Sequence, residues 1–134
     1  MPTECIYHIV KVSDFKLNID TKYYRPKSIE NDGFIHCSIE ASVIPVANDY
    51  YRNENVAYLL LKIDPAKLTS EVKYEGAAPL KGMKTDHLQS SPVFPHIYGP
   101  MDIQAIIGIG ELKKNNKGYI WPKEFVFIGE YIGK

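Results

Sequence analysis

GFIHCSIEASVIPVANDYYRNENVAYLLLKID, residues 33–64, carries three patterns in succession. Phe34 to Ser38 predicts a short strand, with Phe34, His36 and Ser38 on one face and Ile35 and Cys37 on the other. Val43, Val46, Ala47, Tyr50 and Tyr51 then recur at helical spacing, with Ser38 or Ser42 as candidate N-caps. Pro45 suits that helix only in its first turn or at a kink, because it lacks an N–H and crowds the preceding turn. Val56 to Asp64 is the clearest strand of the chain, apolar enough to lie mid-sheet, and Pro65 ends it.

Working outward, Cys5 to Val12 predicts a first strand with Ile6, His8 and Val10 on one face. Ser13-Asp14 could cap one helical turn before Asn18. Residues 20–33 are expected to be a loop, closed by the turn signal Asn31-Asp32-Gly33. Further strands are expected at Glu71–Glu75, Phe94–Tyr98 and Ile103–Leu112, where Gly108 and Gly110 permit a bulge or a close contact. Lys113 to Gly118 is a polar turn, and two last strand pieces follow, Tyr119–Trp121 and Phe125–Tyr131. Gly76 to Pro92 has no periodicity and is expected to be a mobile loop. Strands with one main helix define an α+β class. The 134 residues suit a single domain, 1–134.

Lys and Arg number 16, as do Asp and Glu, and neither half is basic, so a broad nucleic-acid surface is disfavoured while one small phosphate site is not. Cys5 and Cys37 form no disulfide framework and suit buried free thiols. The N-terminus lacks the basic and long apolar regions of a signal peptide. No apolar run approaches the ~18 residues of a membrane span. The expectation is a soluble, cytoplasmic protein.

His8, His36 and His96 each lie at the centre of an apolar strand, whereas His87 is in a polar loop. Buried imidazoles need partners for both nitrogens, from the core or from a ligand. The three are 28 and 60 residues apart, with no local pair at ligand spacing, so no metal is expected. A Cys37–His36 dyad is stereochemically poor, because adjacent strand residues point apart. His96 and Tyr98 share a face and could both hydrogen-bond a ligand, while the planar fork of Arg25 could hold a phosphate.

Five segments, IYHI at 6–9, GFIHCS at 33–38, VANDYY at 46–51, LLLKID at 59–64 and FPHIYGP at 94–100, resemble the DUF952 family over about residues 5–112. Residues 113–134 fall outside that core as a C-terminal strand extension. The resemblance implies an ADP-ribosyltransferase-like fold, two small antiparallel sheets around a cleft. It brings no established activity. NAD-using transferases of this fold open with a Tyr-His-Gly strand; Tyr7-His8 matches, and Ile9 replaces the glycine. His36 with Ser38 resembles the histidine–hydrophobic–serine pattern of RNA 2′-phosphotransferases. Glu75, or Glu71, takes the place of the catalytic glutamate by strand order alone. The resulting expectation is a transferase-like domain that binds a nucleotide or phosphorylated ribose, with NAD as a candidate cofactor. His8, His36 and Glu75 would be catalytic, and Arg25, Ser38, His96 and Tyr98 would bind the ligand. The alternative is a non-catalytic small-ligand or protein-binding module. A carboxylate facing the histidines distinguishes the two.

Overall fold

The structure, a computed structural model, describes residues 4–76 and 93–132. The expected loop at Gly76–Pro92 lies outside the described residues, apart from Gly76 itself.

The first sheet has the order β1-β4-β8-β9, with β1 at Ile6–Lys11, β4 at Tyr58–Ile63, β8 at Ile106–Asn115 and β9 at Gly118–Ile120. All its pairs are antiparallel. Strand β4 is central because its two faces serve two cores. Leu59, Leu61 and Ile63 join one cluster, and Tyr58 and Leu60 join the other. Alternation sends successive side chains to opposite faces, so a strand covered on both sides reads as a continuous apolar run.

The second sheet has the order β3-β6-β5, with β3 at Ile35–His36, β5 at Glu71–Glu75 and β6 at Phe94–Tyr98. Its Ile35 and Ile97 face the first cluster together with Ile6, Val10 and Leu61. Helix α3, Glu40–Tyr51, places Val43 and Ala47 in the second cluster. Between β3 and α3 the chain changes sheets. Cys37 N–H donates to the Pro95 carbonyl, and one residue later Ser38 pairs with Tyr7 through two backbone bonds of 2.7 and 2.8 Å.

Several expectations are corrected. The supposed loop at 20–33 contains β2 at Tyr23–Tyr24, paired with β7 at Met101–Asp102, and helix α2 at Ser28–Asp32. Asn31-Asp32-Gly33 is the end of α2: Gly33, at φ 88°, donates its N–H to Ile29 O. Only glycine takes that left-handed cap without steric cost. Helix α1, Val12–Asn18, begins after Lys11 with no side-chain cap from Ser13. Neither Ser38 nor Ser42 caps α3, and Pro45 sits inside it. Strand β8 starts at Ile106 after a 3-10 turn at Ile103–Ala105, and it runs on to Asn115, so the polar turn shrinks to residues 116–117. The expected strand at 125–131 is a single bridge, Val126 to Ile109, followed by helix α4 at Ile128–Ile132.

Candidate functional site

Ladder geometry sets the positions of the three strand histidines. Cys37 N–H bonds to Pro95 O, so 37/95 is a hydrogen-bonding position and the adjacent pair His36/His96 is not. At a non-hydrogen-bonded pair the side chains stand closest and the backbone polar groups point out of the ladder. The His36 carbonyl therefore points away from β6, where His8 Nδ1 meets it at 2.6 Å. A carbonyl only accepts, so Nδ1 carries the proton, and His8 Nε2 accepts from the Tyr24 hydroxyl at 3.1 Å. Burial lowers the pKa of His8 to about 4, which keeps this neutral tautomer. His8 points to the inner face, with Ile6 and Val10, and both its nitrogens are used by the protein.

The His36 and His96 rings lie on the other face of the second sheet, opposite Ile35 and Ile97, with centroids 5.8 Å apart. Each is held by a carboxylate. His36 Nε2 lies 2.9 Å from Asp32 Oδ2, and His96 Nδ1 lies 2.7 Å from Glu75 Oε1. The Tyr98 hydroxyl donates to the same Glu75 oxygen at 2.5 Å. The hydrogen bonds from Tyr98 and then His96 hold the Glu75 carboxyl below its usual range, while Glu75 raises the Tyr98 phenol. Burial pushes His36 down against the opposing pull of Asp32. Phe34 stacks on His96 with centroids 4.1 Å apart and touches His36 at 4.7 Å. Lys73 is paired with His96 across β5 and β6, and its ammonium stands 4.8 Å from the centre of the Tyr98 ring.

The structure thus brings together four of the residues singled out in the sequence, His36, His96, Tyr98 and Glu75. It separates the other three. His8 is turned inward. Ser38 is buried at the backbone bridge to Tyr7. Arg25 pairs with Asp20 at 2.6 Å and lies against the Tyr23 ring, with its side chain 51% exposed. Among the described residues, the cation beside the histidines is Lys73. Sequence reasoning missed Lys73, Asp32 and Phe34. Alternation along β5 puts Glu71, Lys73 and Glu75 on one face, but only the β5–β6 register reveals which of them meets His96. Among the described residues, no group of three His, Cys, Asp or Glu side chains is placed to hold a metal ion.

Fold and site together define an α+β protein whose described residues form two larger antiparallel sheets over a shared core and the two-stranded pair β2-β7, with a histidine–carboxylate cluster on the far face of the three-stranded sheet. The chain belongs to the family described as "Protein of unknown function (DUF952)", whose model matches residues 9–109. The crystal structure of protein CC0527 from Caulobacter crescentus has the same fold, with TM-score 0.67 at 19% identity, covering 97% of this chain and 99% of that one. Its solution NMR structure superposes with TM-score 0.63 at 20% identity, covering 95% of each chain. No curated protein matches this sequence.

Proposed function

We propose that the His36–His96–Glu75–Tyr98 face binds a nucleotide or phosphorylated ribose and supports group transfer, within an ADP-ribosyltransferase-like arrangement of the two sheets. NAD is one candidate ligand. The observation that carries this reading is Glu75, whose carboxylate stands 2.7 Å from His96 and is held ionised by its two hydrogen bonds. An ionised carboxylate beside an imidazole suits a step in which positive charge develops on the ligand or on that histidine. Phe34 supplies an aromatic surface in the same cluster, and Lys73 supplies a point charge for phosphate.

The test is a thermal-shift and denaturation series with AMP, ADP-ribose and NAD. A ligand at 100 times its Kd adds about 2.7 kcal/mol of stability. The expected result is stabilisation of the wild type by at least one of the three, and its loss in His36→Ala. Stabilisation by none of them, or equal stabilisation of His36→Ala, would remove the reading. The engagement of both His8 nitrogens favours the non-catalytic alternative for that residue, whose role is then to satisfy buried backbone.

A further inference from the structure

We infer that the open edge of β1 docks the C-terminal tail of a partner polypeptide, which adds there as a short extended strand. This site is separate from the histidine–carboxylate face and does not depend on the nucleotide reading.

The register of β1 determines which of its backbone groups are spare. Tyr7 exchanges two backbone bonds with Ser38, so the odd-numbered residues of β1 direct their N–H and C=O away from β4. Val12 N–H, which donates to Ala57 O on the β4 side, fits the same alternation. Ile9 N–H, Ile9 C=O and Lys11 N–H therefore point out of the sheet, and none of them bonds to another described residue. In the same sheet, Val126 covers the spare edge of β8 at Ile109. The open stretch of β1 is short. Ser38 closes it at one end, and α1 begins at Val12 at the other. Its three groups run donor, acceptor, donor, the order that the main chain of an extended peptide complements.

This edge opens on a cleft of about 350 Å³, within the size range of ligand sites. Tyr24, of the first cluster, walls the cleft on one side of the sheet, and Tyr51 and Tyr58, of the second, wall it on the other. A strand added to the edge sends successive side chains to those two sides in turn. Leu17 lines the same cleft and is 80% exposed, an apolar surface that an entering side chain covers. The charges favour a carboxylate. Lys11 and Lys27 line the cleft, and neither makes an ion pair with a described residue. Of the two acids in the lining, Glu54 accepts the Tyr58 hydroxyl, which leaves Asp14 against two lysines. The Ser28 hydroxyl, in the same lining, is shielded from solvent and has no partner among the described residues. A shielded donor without an acceptor is costly, and a carboxylate oxygen supplies one. A stretch of edge closed at both ends suits a chain end better than a chain passing through, so the carboxylate is the C-terminal one.

The experiment selects, on the full chain, from a library of random heptapeptides displayed with free C-termini. The expected result is enrichment of tails with apolar side chains in the last three positions. The most enriched heptapeptide, synthesised, should slow hydrogen exchange at the Ile9 and Lys11 amides. Converting its carboxylate to an amide should weaken binding roughly tenfold or more. Lys11→Pro tests the backbone separately from the side chain. Lys11 has φ −64°, which suits a proline ring, and its N–H points out of the sheet, so the substitution removes no ladder bond. Lys11→Ala loses the charge and keeps the N–H. Lys11→Pro should bind the peptide roughly 3- to 10-fold more weakly than Lys11→Ala. Should Lys11→Pro unfold early, protection of the Ile9 amide in the wild type decides. The inference is overturned by a selection without enrichment, by equal affinity in the two folded variants, or by a bound peptide that leaves both amides unprotected. Protection that grows with protein concentration alone assigns the edge to a second copy of this chain and overturns it too. So does protection by AMP or ADP-ribose with no peptide enriched, which assigns the cleft to a small ligand.

Discussion

His8 holds the two sheets together at the point where they part. The chain leaves β6 after Cys37 and joins β1 at Ser38, and the imidazole satisfies the His36 carbonyl that the turn leaves outside the ladder. A buried carbonyl without a donor is costly, which explains a polar ring on the apolar face of β1. The pKa of His8 falls from an ordinary value near 6.5 to about 4, so the folded state binds fewer protons than the unfolded state between those values. Stability is therefore full above pH ~6.5 and declines as pH falls toward 4, by about 3 kcal/mol in total from this group. His8→Asn keeps a donor toward His36 O and has no titration. Urea unfolding at pH 7.5 and 4.5 should show a smaller acid loss in the variant than in the wild type, and an equal loss would contradict this account. The neighbouring histidines show how far residues can be read without coordinates. His36 and His96 stand out in the sequence as polar groups in apolar strands. That one strand histidine faces inward and two face outward depends on where β3 changes sheets, and no local pattern encodes it.

At the scale of elements, α3 is formed by packing in spite of its sequence. Pro45 is the sixth residue of the helix, where the missing N–H removes one i→i−4 bond and the ring crowds the Ala41 carbonyl. Val43 and Ala47, both fully buried against β1 and β4, hold the helix across that break. Pro45 itself is exposed, so replacing it loses little packing. Pro45→Ala should stabilise the protein by about 1–3 kcal/mol, partly offset by the added freedom of the unfolded chain. The measurement is the urea midpoint at unchanged m; a midpoint that stays or falls would show that the proline suits the helix. The long elements, β1, α3, β4 and β6, were legible because their apolar periodicity extends over five or more residues. Strand β2 and helix α2 were not. Two and five residues show no period, and Tyr23-Tyr24 is ordered by its partner Met101-Asp102, far along the chain. The aromatic run Phe125–Tyr131 has strand propensity, yet it bonds to β8 only at Ile109 and then turns helical, placing Tyr131 against Phe15 at 6.2 Å. Tertiary packing overrides local propensity there.

Across the whole molecule, the C-terminal segment ties the two cores to each other. Trp121 and Phe125 pack on Tyr7 over the second cluster. Val126 then exchanges two backbone bonds with Ile109 along β8, and α4 reaches the first cluster through Tyr131. The chain thus passes around the free edge of β8, which covers backbone groups that would otherwise be open to pairing with another chain. This path needs two glycines in β8. A Cβ on Gly108 would stand 2.9 Å from Phe125 Cβ, and one on Gly110 would stand 2.7 Å from Pro122 Cβ and 3.1 Å from the Glu124 carbonyl. The same stretch carries the bulge, since the β4–β8 register shifts between Lys62 and Ile63. Gly110 has ordinary backbone angles, so alanine there brings only the collision, with ring and backbone atoms that cannot swing aside. Gly110→Ala should cost about 1–3 kcal/mol, the range for overpacking. Its effect should concentrate in the wrapped segment, as faster hydrogen exchange at Val126 and Ile109 with little change at Leu60. Gly129→Ala, in α4 with nothing within 4 Å of the new Cβ, is the control and should be neutral or slightly stabilising. Equal midpoints for the two variants, or exchange rising uniformly over β4 and β8 in Gly110→Ala, would mean that the crossing segment does not bear on β8 as described.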